Sequence, residues 1–190
     1  MSYVKIEGEE LIKRSKAFGL SGHRAIIAAL LGAALTAICA QLSFHLPGNP
    51  VPVTLQVFAV SLCGMVLGGW LAAVSQLEYL TAGLLGLPVF AGFKCGPGAL
   101  TGPTGGYLIA FVPAAFITGV LASRFRNSLC GLALSGLAGV VVIYLIGRAW
   151  LALWLGSLTS PESWVLGVLP FVATDAVKVW CAALISRRLS

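Results

Sequence analysis

Long apolar runs, separated by short polar or Gly/Pro-rich segments, pattern most of the chain. Six of them, at about 25–44, 53–68, 70–90, 107–122, 129–151 and 165–186, approach the roughly 20 residues that a helix needs to cross about 30 Å of hydrocarbon. Strict period-2 alternation, the mark of a membrane barrel, is absent from them. The pattern predicts an all-α integral membrane protein with six transmembrane helices. The first run is longer than a signal-peptide core and has no convincing cleavage site after it, so it reads as a span. Residues 1–24 are polar and of mixed charge and read as a tail, leaving 25–188 as a single membrane domain. The connections HLPGNPVP (45–52) and FKCGPGALTGPTGG (93–106) are rich in Gly and Pro, whereas SRFRN (123–127) is short and basic.

Composition agrees. Of 190 residues 58% are hydrophobic and only 9% charged, with a mean hydropathy of +0.97, against about 25% charged in a soluble domain. The net charge of +6 is spread between the apolar runs rather than gathered in one patch, which argues against nucleic acid as a partner. Lys5, Lys13, Arg14, Lys16 and Arg24 precede the first span, Arg124 and Arg126 follow the fourth, and Arg187 and Arg188 follow the sixth. Six crossings put all three groups on one side, and the preference of Lys and Arg for the cytoplasmic side places both termini in the cytoplasm. The five cysteines form no CxxC pair, and most lie within apolar runs. They read as small buried hydrophobes, with no metal site implied.

A few polar residues stand where lipid is expected. In FVATDAVKVW (171–180), Asp175 lies about ten residues past Val165, roughly 15 Å into the span at 1.5 Å per residue. Placing Asp or Lys at such a depth costs about 2.5–3.5 kcal/mol each. Asp175 and Lys178, at i and i+3, share a helix face and form either an internal ion pair that pins the span or a ligand site facing a cavity. Gln56 in the second span suits an interhelical hydrogen bond or a ligand contact, and Glu78 and Tyr79 lie mid-way along the third. Glu78 could pair with Lys178 or Arg148. The segment GPGALTGPTGGYL (96–108), with five glycines and two prolines, allows a close backbone approach to a ligand with its amides left open. Irregular backbone at membrane depth is tolerated only where it lines a cavity or is buried. An enzyme is not indicated: His23 and His45 lie at opposite membrane edges, and neither GxSxG nor HExxH occurs.

The first span carries Ala25, Ala29, Ala33 and Ala37 in one row, with Ala28, Gly32, Thr36 and Ala40 beside it. Small residues let membrane helices approach closely, so this smooth face packs on another span or on a partner protein.

VPVTLQ (51–56), GLPVFAGF (86–93), GPTGGYLIAF (102–111) and the Asp-x-x-Lys that follows PFVAT resemble the BioY family, the biotin-binding S components of energy-coupling factor transporters. The likeness covers about 25–188. It implies a high-affinity biotin-binding subunit that needs no cofactor and captures biotin from the outer side. Uptake would depend on a coupling protein and its two ATPase subunits, dedicated or shared, with Ala25, Ala29, Ala33 and Ala37 as the docking face. An S component for another vitamin, or a self-sufficient secondary transporter, is the alternative. Asp175 and Lys178 would meet the N–H groups and carbonyl of the ureido ring, and Phe90, Phe93 and Tyr107 would pack on the thiophane ring and valeryl chain. Gln56, Tyr79, Thr104, Gly105 and Gly106 would complete the site, with 93–106 as a lid. The biotin carboxylate would fall to the amides of 102–106, to Lys94 or to Arg148. Glu78, Lys94 and Cys95 depart from the family's usual residues.

Overall fold

The computed structural model describes residues 22–156 and 161–189, so residues 1–21 of the expected tail lie outside the described residues, while 22–24 already belong to the first helix. Helix α1 (Gly22–Gln41) leads into a two-stranded hairpin, β1 (Ser43–Phe44) with β2 (Val53–Thr54), and then α2 (Gln56–Leu67) and α3 (Gly69–Leu84). A short helix, α4 (Pro97–Thr101), lies in the connection to α5 (Gly105–Ala122), and α6 (Leu129–Trp154), α7 (Glu162–Gly167) and α8 (Val172–Leu189) complete the chain. The molecule is mostly helical, and among the described residues four stretches are long and apolar enough to cross a membrane: 22–41, 105–122, 129–154 and 162–189. α2 and α3, of 12 and 16 residues, are shorter.

Two expectations need correction. The run at 25–44 does not stay helical to its end, because β1 pairs antiparallel with β2, Ser43 opposite Thr54 and Phe44 opposite Val53. Its backbone groups thereby find partners within HLPGNPVP and its flanks. Nor is the last span one helix. It breaks between Gly167 and Val172, where Pro170 cannot donate a backbone hydrogen bond. The carbonyls released by the break are taken up: Asn49 Nδ2 donates to Leu166 O at 2.8 Å and Tyr107 Oη to Gly167 O at 2.8 Å. Unsatisfied backbone groups at this depth would each cost several kcal/mol. Asp175 therefore sits in the first turn of α8 rather than in mid-helix, an end where the helix dipole favours negative charge.

The interior is built from small residues and the surface from large ones. Ala59, Ala72, Ala110, Ala114, Ala115, Ala182 and Ala183 are fully buried, while Ile26, Leu30, Leu31, Leu134, Val141, Leu145 and Leu153 are exposed, the inversion expected when lipid is the solvent and helices associate by close contact. α5 packs along α6 and against α2 and α3; α8 packs on α2 and α6. Glycines set these approaches: Gly64 and Gly139 abut Thr118, Gly136 abuts Met65 and Val179, and Gly147 abuts the Tyr107 ring. On α1 the Gly32 and Thr36 row turns inward, Gly32 against Ser75 and Cys63 and Thr36 hydrogen-bonded to Gln76 at 3.3 Å. Ala29 goes with it and is only 1% exposed. It is packing within this chain, which corrects its assignment to a partner face; Ala25, Ala33 and Ala37 remain half-buried.

α2 and α3 meet at one residue, Gly68, with φ +79°, which an L side chain would resist. Across from this corner lies Gly119 on α5, where an added methyl would overlap the backbone of Gly68 and Gly69. Gly119→Ala is expected to destabilise the protein by about 1–3 kcal/mol through overpacking, measured as a lower unfolding temperature in detergent. An unchanged temperature would show that the corner yields.

Candidate functional site

The hairpin, the 85–104 connection and the break before α8 gather around one open-mouthed cavity, concave and mainly apolar as small-molecule sites are. Val51, Pro52 and Thr54 come from the hairpin; Gln56 and Val57 from α2; Phe90, Ala91, Lys94, Ala99 and Thr104 from the 85–104 connection. α5 adds Tyr107, Leu108 and Phe111, α6 adds Ile143 and Tyr144, and Phe171, Asp175 and Lys178 come from the break and α8. The walls are mainly apolar, with charge confined to three side chains.

Asp175 is 2% exposed. Lys178 Nζ lies 2.7 Å from its Oδ1, and Tyr144 Oη donates to its Oδ2 at 2.7 Å. Each carboxylate oxygen thus has one donor, and lone pairs remain for a ligand on the cavity side. The i,i+3 spacing on α8 sets the first contact; the second needs α6 beside α8, which Gly136 against Val179 permits.

A neutral network stands behind another part of the wall. Gln56 Nε2 donates to Tyr79 Oη at 2.7 Å, Thr54 Oγ1 donates to Gln56 Oε1 at 3.0 Å, and Tyr79 Oη donates to Val89 O at 3.3 Å. The Tyr79 ring meets Phe90 edge-on at 5.5 Å between centroids, and Gly83 leaves room for the Phe90 ring.

Residues 12–190 match the sequence profile of the BioY family. The chain belongs to the BioY family. The probable biotin transporter BioY of Pyrococcus horikoshii is 47% identical over 156 residues, 82% of this chain and 90% of its own. The biotin transporter BioY of Thermotoga maritima is 41% identical over 166 residues, 87% and 95% of the two chains. The crystal structure of the S-component for biotin from an ECF-type ABC transporter is similar with a TM-score of 0.80 at 25% identity, covering 90% of this chain and 94% of that one.

In this BioY chain the cavity brings together Gln56, Phe90, Thr104, Tyr107, Asp175 and Lys178 from the residues singled out in the sequence. Others fall elsewhere. Tyr79 is fully buried behind the wall. Phe93 is 69% exposed and does not line the cavity; its left-handed backbone, φ +57°, reverses the chain so that Ala91 and Lys94 line it instead. Gly105 and Gly106 do not line the cavity either. A side chain at Gly105 would strike the carbonyl of Leu100, and one at Gly106 would strike Trp150 and the carbonyl of Ile146; these glycines serve chain packing, and the Gly105 amide is committed to Gly102 O at 3.1 Å. Arg148 also lies outside the wall, with Nε donating to Ser163 Oγ at 3.1 Å and its guanidinium 4.6 Å from the Trp164 ring. Glu78 pairs with neither expected cation, and its Oε2 is buried without a hydrogen-bond partner among the described residues.

Tyr144 was missed. It is the polar ring in VVVIYLIG (140–147), and a search for hydroxyls in mid-span, as opposed to charges, would have found it. Phe171 and the hairpin residues gave no comparable signal, since their place depends on the break and the strand pairing.

Removing one member of a buried ion pair costs about 3–5 kcal/mol, whereas replacing both is often near neutral. Lys178→Met is accordingly expected to lower the unfolding temperature of the ligand-free protein more than Asp175→Asn/Lys178→Met does. The opposite order would show that Lys178 is not what stabilises Asp175 in the bundle.

Proposed function

We propose that this protein is a high-affinity biotin-binding membrane subunit, an S component, that captures biotin in the cavity at 51–178 and releases it to the cell with an ATP-driven coupling module. It is a transport subunit and not an enzyme. The observation that carries this reading is a mainly apolar cavity with one deep acid–base pair, Asp175 and Lys178, in a member of a family whose named relatives are biotin transporters.

The chemistry fits biotin as follows. One edge of the ureido ring offers an N–H beside a carbonyl. Asp175 supplies the acceptor and Lys178 the donor, three residues apart on one helix, so a neutral ligand is read by two charge-assisted hydrogen bonds. An analogue lacking either group leaves a buried charge unmet and is rejected strongly. Phe90, Tyr107, Phe111 and Phe171 suit the thiophane ring and valeryl chain. For the biotin carboxylate the candidate is Lys94, which lines the cavity, in preference to Arg148, which reaches Ser163 and Trp164.

In the membrane, six crossings arise when α7 and α8 together form one and when α2 and α3 form two, completed by the hairpin before α2 and the connection after α3. Both termini are then cytoplasmic, with residues 1–24 as a tail and 25–188 as the membrane domain, in a bacterial inner membrane. The coupling protein with its two ATPase subunits would approach along Ala25, Ala33 and Ala37 of α1.

Calorimetric titration of the purified protein with biotin, desthiobiotin, biotin methyl ester and other vitamins tests the reading. Biotin is expected to bind selectively, and Asp175→Asn to weaken it by far more than the tenfold that about 1.4 kcal/mol represents, with the fold retained. Unchanged affinity would make the pair purely structural.

The exposed Cys95, next to Lys94, reports on the connection at 93–106. If this segment closes over bound biotin, maleimide labelling of Cys95 slows when biotin is added; equal rates with and without biotin would argue against a lid.

A further inference from the structure

Gln41, the last residue of α1, makes more hydrogen bonds to the 85–104 connection than any other side chain outside it among the described residues. Its Nε2 donates to Val89 O at 3.3 Å and to Phe90 O at 3.2 Å, and its Oε1 accepts from Phe93 N at 3.0 Å. The segment it grips is a tight reversal. Phe90 N donates to Lys94 O at 3.0 Å, and between them Gly92 and Phe93 both have positive φ, +71° and +57°. Glycine takes that conformation readily, but phenylalanine does not; Phe93 is the only residue other than glycine with positive φ among those described. The Phe93 ring is exposed, so it gains little from packing in that pose. Beside the Phe90–Lys94 bond across the turn, the hydrogen bond from its amide to Gln41 holds it there. The residues on either side of the reversal, Phe90, Ala91 and Lys94, line the cavity.

We propose that Gln41 is a positioning residue for ligand binding: it does not line the cavity, but by clamping 89–93 to the end of α1 it holds the left-handed turn that puts Phe90 and Lys94 in the cavity wall. This rests on the reading of the cavity as a biotin site with Lys94 toward the carboxylate. Phe90 has further anchors in Tyr79 and Gly83, and Val89 O also accepts from Tyr79. Loss of the clamp therefore bears hardest on the Lys94 end of the reversal and spares the pair on α8.

The test compares biotin with biotin methyl ester, which keeps the ureido ring but lacks the carboxylate, by titration of wild type and Gln41→Leu. The expected result is a loss of about tenfold for biotin, about 1.4 kcal/mol, and a clearly smaller loss for the ester. In a Phe93→Gly background the turn no longer depends on the amide bond to Gln41, and the effect of Gln41→Leu on biotin should shrink, as coupled residues do in a double-mutant cycle. Should Gln41→Leu fail to fold, Gln41→Glu keeps the acceptor for Phe93 N and loses the donor to the two carbonyls, and is expected to give an intermediate loss with the same preference. Unchanged biotin affinity in the variants, equal losses for biotin and ester, or additivity with Phe93→Gly would each overturn the proposal while leaving the biotin site standing. Wild type that binds no biotin would overturn both.

Discussion

Asp175 is a carboxylate in a bundle built for lipid, and its need for donors shapes much of what surrounds it. Lys178 reaches one oxygen from the same helix. Tyr144 reaches the other from α6, which requires α6 and α8 to lie close, and Gly136 against Val179 supplies that closeness. The helix break before Val172 puts the acid in a first turn, where the dipole favours its charge. The same break releases backbone carbonyls, and Tyr107 and Asn49 take them up. Tyr107 in turn lies against Gly147. Charge, break and glycine spacing therefore depend on one another.

Two polar networks reach the cavity, and they differ in kind. The one on α6 and α8 is charged, with spare lone pairs toward the cavity. The other runs from Thr54 through Gln56 and Tyr79 to Val89, and on to Gln41, and is neutral throughout. Neutral hydrogen bonds add only about 0.5–1.5 kcal/mol each to stability, yet a buried group left without its partner costs about 1–3 kcal/mol. Such a chain fixes geometry more than it adds stability. It links α1, the hairpin, α2, α3 and the 85–104 connection, so the wall that carries Phe90 and Lys94 is held by four elements at once.

Much of this was legible in the sequence where a single residue violates its surroundings. Asp175 and Lys178 stand out in an apolar run, and Gln56 and Tyr107 sit in motifs that resemble the BioY family; all four line the cavity. What was not legible depends on pairings between distant segments. The hairpin has only two residues in each strand, too few for a periodic signal. The outward turn of Phe93 follows from a backbone conformation that its identity argues against. Nothing in the sequence singled out Gln41, and the role proposed for it depends on the 89–93 reversal lying beside it. The glycines of GPTGGYL read as a backbone left open to a ligand, whereas Gly105 and Gly106 are spaced by steric contact with Leu100 and Trp150. The same held for the alanine row of α1, where one face of a helix had to choose between its own bundle and a partner, and Ala29 chose the bundle.

The cavity wall joins two mechanical classes. α2, α5, α6 and α8 are helices that meet at glycine and alanine, so they move only as packed units. The hairpin, the 85–104 connection and the break before α8 are tied in large part by side-chain hydrogen bonds: Asn49 to Leu166, Gln41 to 89–93, Tyr79 to Val89, Trp150 Nε1 to Gly102 O at 2.9 Å, and Tyr107 to Gly167. Each such bond can open without unwinding a helix, at the cost of leaving its carbonyl to find another partner. Ligand entry needs a gap of molecular size, and the easiest way to make one is to release these few bonds and leave the helices in place. Low-stability segments clustered on a rigid frame are where binding motions arise, and here all three border the same cavity. Asp175 and Lys178 belong to the frame, so under the proposed reading the groups that meet the ligand would keep their geometry if the segments around them opened and closed.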